Sequence, residues 1–378
     1  MTPPSKHARF LSHRTRTNFQ TAPAFSLVEI LVAMTVLVLL MVLAAQVIDR
    51  TQRIWSSANS KLEQFREARI GFDDLTERLS KATLFQYFGY TNTLQTLPLV
   101  GTVPAPLYFG RRSELRFICG PAAQVVSGTT PSTTDAVFFT APLGITSSAS
   151  YARLPGLLNM CGYFIEWSNV DPDRPLVLGG SGSYRFRLMQ FVQPAENMVL
   201  YPQTTGGAAS FAPKYTFVTA TNWQINAMQS SPTSIRPVAN NVVALLMLPA
   251  LSTSDTSGSL APAYLYDSQA NGAIAATANP STVSPTTNSF NRLPPVVRVV
   301  LYTIDEFSAQ KLPNTASMPN LSGTLFQDPT KLYPAPDGSD PGDLGRFEQV
   351  LIQKNLTFRR FETAVQLPPQ PWSTQQDF

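Results

Sequence analysis

The chain has 378 residues, 43% hydrophobic and only 14% charged, which is enough apolar material for a large core and poor beside the roughly 25% charge of ordinary soluble domains. Its net charge of +4 is concentrated in an acid-free stretch of 24 residues holding Lys6, Arg9, Arg14 and Arg16, and beyond it acids and bases balance, so no nucleic-acid partner is expected. The only two histidines, His7 and His13, lie in the same stretch, which leaves the rest of the chain without an imidazole for Ser-His-Asp or Cys-His catalysis or His-ligated zinc. A non-enzyme without a cofactor is the expectation.

Residues 1–24 read as a basic leader. Residues 25–45, FSLVEILVAMTVLVLLMVLAA, are apolar or small apart from Glu29. About 20 such residues cross a bilayer core as a helix, and apolar residues all round leave no face for water. The cations ahead of the segment place the N-terminus in the cytoplasm and the remainder across the inner membrane, in the periplasm or at the cell surface. The spacing predicts a transmembrane helix over 25–48 and its amphipathic continuation over 49–83. The chain holds 32 prolines, yet none falls between Pro23 and Pro98, and helix interiors exclude proline. Ile48, Trp55 and Leu62 recur at sevens, as do Thr51, Ala58, Phe65, Phe72 and Leu79, giving one apolar stripe that Arg69 and Thr76 interrupt. Asp49–Arg53, Asp74–Arg78 and Glu77–Lys81 are acid-first i, i+4 pairs suited to an exposed face. Gly71 marks a site for a bend.

Residues 84–378 turn to short β-like runs between Pro, Gly, Ser and Thr, predicting an exported β-rich domain. Strands are expected over 114–119, 136–140, 162–167, 184–192, 242–248, 296–304 and 356–365. The alternation at 184–188 predicts one wet face, and the continuous apolar runs at 242–248 and 296–304 predict central strands. Residues 251–291, without Lys or Arg, read as a long surface loop, and 121–134 and 203–222 as shorter ones. The fold class is α+β, a long N-terminal helix packed on antiparallel sheets. Cys119 and Cys161 form either one disulfide or two buried thiols. Asp337, Asp340 and Asp343 form a weak calcium candidate, with a plain solvated turn favoured. Asp171-Pro172-Asp173 is weaker still. Asp305 and Glu306 are expected to be exposed, and Arg111-Arg112 to form a solvated loop edge.

The segment Ala24-Phe25-Ser26-Leu27-Val28-Glu29, between a basic leader and an apolar span, resembles the class III signal of type IV pilins and type II secretion pseudopilins. The resemblance implies cleavage by a prepilin peptidase between Ala24 and Phe25, where the family usually has Gly before the cut, followed by N-methylation of Phe25. It also implies that Glu29 sets subunit register by pairing with the freed N-terminal amine of another pilin-like subunit. Further blocks are similar to the Verru/Chthon cassette protein C family, itself related to the type II secretion minor pseudopilin J. They are SKLEQFREAR at 60–69, GYF at 162–164, YRFRLMQ at 184–190, NNVVAL at 240–245, LPPVVRV at 293–299, FRRFET at 358–363 and Trp372-Ser373. The family implies a structural, pilin-like component of an envelope assembly. Two alternatives stand beside it: a single-pass anchored binding or adhesion domain that never polymerises, and a secreted protein cut by ordinary signal peptidase near Ala44 or Ala45. A hydrolase has no constellation to support it.

Overall fold

The computed structural model describes residues 26–97, 101–113, 115–126, 132–169, 182–198, 223–258, 260–269 and 291–369. The chain divides into two compact units, Met1–Ala58 and Asn59–Phe378. Helix α1 (Leu27–Leu79) runs from the first into the second, matching the long helix expected from the missing prolines. Gly71 does not interrupt it.

In the first unit the helix is apolar over Leu27–Gln52, with a mean hydropathy of 2.9 in its most apolar window and none of that window buried. Its 26 residues extend about 39 Å at 1.5 Å per residue, longer than the roughly 30 Å of a bilayer's hydrocarbon core. The hydroxyls of Thr35 and Thr51 donate back to the Val32 and Val47 carbonyls, both at 2.8 Å. That arrangement leaves neither O–H donor unsatisfied in an apolar setting.

The second unit begins with the rest of α1. An antiparallel ribbon of β1 (Tyr87–Leu97) and β2 (Gly101–Arg112) follows. Then come β3 (Ile118–Pro121), α2 (Ala122–Val125), β4 (Ser132–Pro142), β5 (Leu158–Asn169) and β6 (Tyr184–Gln193). The chain continues through α3 (Trp223–Ser230), β7 (Ile235–Asn240), β8 (Val242–Ala250), β9 (Tyr266–Asp267) and β10 (Val296–Ile304). It closes with α4 (Glu306–Ala309), α5 (Gly342–Gln353) and β11 (Phe358–Gln366). Strands in the order β7-β6-β5-β4-β3-β9 make a six-stranded sheet, and β11-β10-β8 make a three-stranded one. Every pairing is antiparallel, so the α+β class holds.

The second half of α1 packs on these sheets through Ala68, Phe72, Leu75 and Leu79, spaced four, three and four apart as one helical face requires. Phe72 meets Phe361 of β11 with ring centroids 5.9 Å apart. Gly71 lies where the helix comes close to β7. A Cβ there would stand 3.2 Å from Val238 Cγ1 and 3.4 Å from Ala239 Cβ, so its role is contact with β7 and not a bend. Within the six-stranded sheet, Phe138 lies 6.3 Å from Phe164 and 6.5 Å from Phe191 between ring centroids, over the space that a side chain at Gly162 would occupy.

Several expectations need correction. β6 has no wet face, since residues 186–191 are buried on both sides, with Arg187 and Gln190 among them. The apolar run at 296–304 is the central strand it was expected to be, whereas β8 is buried along its whole length but, among the described strands, shares a backbone ladder with β10 only and so ends its sheet. The stretch 251–291 is no simple surface loop. Leu260, Ala261, Tyr264 and Tyr266 are buried and β9 extends the large sheet, while 270–290 lie outside the described residues. Of the stretch 121–134, Ala122–Val125 form α2 and β4 starts at Ser132, while 127–131, 203–222 and 171–173 fall outside the described residues. Arg111 and Arg112 end strand β2 instead of a loop. Asp305 is buried, where its side chain accepts from Ser308 N at 2.8 Å and caps α4.

Candidate functional site

Ala24 and Phe25, the expected processing pair, lie outside the described residues. Glu29 lies in the first turn of α1. Ser26 caps that turn, with its Oγ accepting from Glu29 N at 3.2 Å and its carbonyl accepting from the same N–H at 3.0 Å. Ser26-Leu27-Val28-Glu29 therefore has the spacing of a capping box, and an acid at this position also complements the positive end of the helix dipole. This S-x-x-E signal is legible in the sequence itself. It gives Glu29 a local reason to be where it is, independent of any second subunit.

Within the second unit, polar contacts beneath residues 67–78 also hold the second half of α1 on the sheets. Glu67 Oε1 accepts from both the backbone N and Nδ2 of Asn240, each at 3.1 Å, where the chain passes from β7 to β8. Burial raises the Glu67 pKa and outweighs the two Asn240 bonds, with Glu63 and Glu306 adding to the rise. Asn241, at φ 60°, donates Nδ2 to Glu306 Oε2 at 3.1 Å, and Glu306 pairs with Arg185. Two turns further, Asp74 accepts from Tyr163 Oη at 2.7 Å, from Gln190 Nε2, and from Arg78 Nε at 2.8 Å. Asp74–Arg78 is thus the predicted i, i+4 pair turned inward against β5 and β6. Glu77–Lys81, at 2.7 Å, is the exposed one.

In the structure both cysteines are buried free thiols. Cys119 on β3 pairs across to Val137, and Cys161 on β5 to Phe139, so strand β4 lies between them. Two strand spacings, about 9.5 Å, exceed the roughly 7 Å that a disulfide tolerates between Cα atoms. Burial pushes the Cys161 thiol up to about 12 against the pull of Arg78.

The aspartates at 337, 340 and 343 do not converge on a common point, and among the described residues no acidic, histidine or cysteine group of three is placed to hold a metal. Asp337 accepts from Ser339 N and Oγ at 3.0 and 2.7 Å. Asp340 takes Gly342 N and Arg346, while buried Asp343 takes Phe326 N and the same Arg346. Arg346 thus supplies a positive charge beside Asp340 and Asp343.

Comparison with protein-family models, with curated proteins and with solved structures finds no match to this chain.

Proposed function

We propose that the protein is a pilin-like structural subunit, a minor pseudopilin of a type II secretion or type IV pilus-like envelope assembly. It is held in the inner membrane by α1 and joined to other pilin-like subunits through that helix. One observation carries the reading: an apolar, fully exposed segment of 26 residues with an acid in its first turn continues as one helix into a second half clamped on sheets. A detachable signal needs no such continuation. An assembly helix does, because force or register received by its apolar half must reach the β domain. In this reading prepilin peptidase cuts between Ala24 and Phe25, Phe25 is N-methylated, the β domain lies outside the cytoplasm, and the protein is not an enzyme. A carboxylate in low dielectric needs a cation, and Glu29 finds one in the terminal amine of a neighbouring subunit.

The Ser26 cap favours a second reading, a single-pass anchored binding domain that does not polymerise, because the cap accounts for Glu29 without a neighbour. Glu29→Gln separates the two, since Gln also completes a capping box but carries no charge. Loss of cross-linked oligomers with membrane insertion intact supports the assembly reading, and unchanged oligomers refute it. Intact mass of the membrane-purified protein supplies the second check. A methylated Phe25 terminus is expected, an intact Met1 selects the simple anchor, and a terminus near Ala45 selects a secreted protein.

A further inference from the structure

The two sheets meet where β8 lies beside β4. β8 pairs with β10 on one edge only, and in an antiparallel ladder alternate N–H groups point to the opposite edge. On that edge side chains replace a backbone partner. Thr134 Oγ1 accepts from Leu245 N at 2.9 Å, and Asp135 Oδ2 from Met247 N at 2.8 Å. A register shift of β4 against β5 between Thr133 and Val137, with Thr134 at φ 56°, turns these two consecutive side chains toward β8.

Asp135 is 2% exposed, and among the described residues no Lys, Arg or His pairs with it. The titratable groups that face it are Cys119 from β3 and Tyr264 from the turn Pro262–Tyr264. β8 and α2 carry none. On β5, Tyr163 is bonded to Asp74 and Glu166 lies in the field of Arg187. A carboxylate sealed in this way without a cation is costly, and one N–H donor offsets only part of the cost.

We propose that Asp135 is a proton-operated latch between the two sheets, closed while its carboxyl is protonated and loosened when the proton leaves, so that the β domain is tightest in mildly acidic surroundings. Burial pushes this carboxyl up to about 7 against the pull of the Met247 N–H. A carboxyl freed to water titrates near 4. The latch therefore contributes its full stability below about 4 and loses it progressively as pH rises toward 7.

The test is amide exchange on the full-length protein in detergent, expressed as protection relative to an unstructured amide at the same pH. In the wild type, protection of Leu245 and Met247 should fall about tenfold or more between pH 5 and pH 8, a factor of ten for each unit of pKa displacement that is lost. Leu246 and Leu248, whose N–H groups point to β10, should keep theirs. Asp135→Asn retains the acceptor for Met247 without the charge and should flatten the response. Equal protection at both pH values in the wild type, or the same loss in Asp135→Asn, overturns the latch. Should that variant fail to fold, the side-chain carboxyl carbon shift of wild-type Asp135 decides: a midpoint near neutrality supports the proposal and one near 4 refutes it.

Discussion

Single side chains decide how α1 is held. Asp74 serves three partners at once, and Arg78 and Tyr163 are both largely removed from water. Asp74→Ala should cost about 1–3 kcal/mol, at the lower end because Asp74 keeps some solvent access, and the loss is read as a lowered urea midpoint. Asp74→Asn should recover part of that loss by keeping an acceptor for Tyr163. Gly162→Ala would drive a methyl into the Phe138 ring, so about 1–3 kcal/mol of destabilisation is expected from overpacking. Glu306 titrates in the opposite sense to Asp135. Burial works to raise its pKa, but the hydrogen bond and charge of Arg185 lower it below the ordinary value. Its contribution is therefore present above the usual carboxylate range and lost as pH falls through the folded value, and Glu306→Gln should blunt acid unfolding. None of these partners is near Asp74 or Glu306 in sequence except Arg78, which is why spacing revealed the i, i+4 pair but not the side of the helix it faces.

Among the elements, α1 was the most legible. Missing prolines and an apolar run of membrane length announce it without any knowledge of the tertiary structure. Its buried face was only partly readable. Phe65, Phe72 and Leu79 stood on the sequence stripe, but Ala68 and Gly71 are too small to signal burial, and they matter because β6 and β7 come close there. Gly71→Ala sets a gain of about 1 kcal/mol in helix propensity against crowding of Val238, so stability should change little, whereas Gly71→Leu should lift the helix from the sheet. Phe72→Ala should cost about 3–5 kcal/mol by emptying the contact with Phe361, measured by thermal unfolding in detergent. The ribbon β1–β2 and strand β7 were missed. Tyr87–Leu97 mixes aromatics with Thr, Asn and Gln, and Ile235–Asn240 contains Pro237, so neither alternates as a strand with one wet face does.

At the scale of the whole molecule, the apolar helix has the length and composition of a membrane anchor or a signal sequence, and its 26 residues, of mean hydropathy 2.9 in their most apolar window, have no internal cover. The full-length protein should remain with membranes after alkaline carbonate extraction, and release into the supernatant would contradict a membrane-anchored helix. The fold class, the long helix and most strands of the two sheets follow from periodicity and from proline and glycine placement, because those signals are local. Chain pattern alone also located Glu29, since one acid in an apolar run stands out wherever the run is placed.

Tertiary structure alone decided which polar groups are buried and what they touch. Asp135, Asp305 and Gln190 look like ordinary surface residues in the sequence, and only the meeting of strands far apart in the chain removes them from water. The same meeting keeps Cys119 and Cys161 apart by interposing β4, and closes the open edge of β8 with two side chains. Hydrophobic pattern sets which faces are buried. The neighbours across a buried seam depend on long-range strand order, which no local spacing encodes.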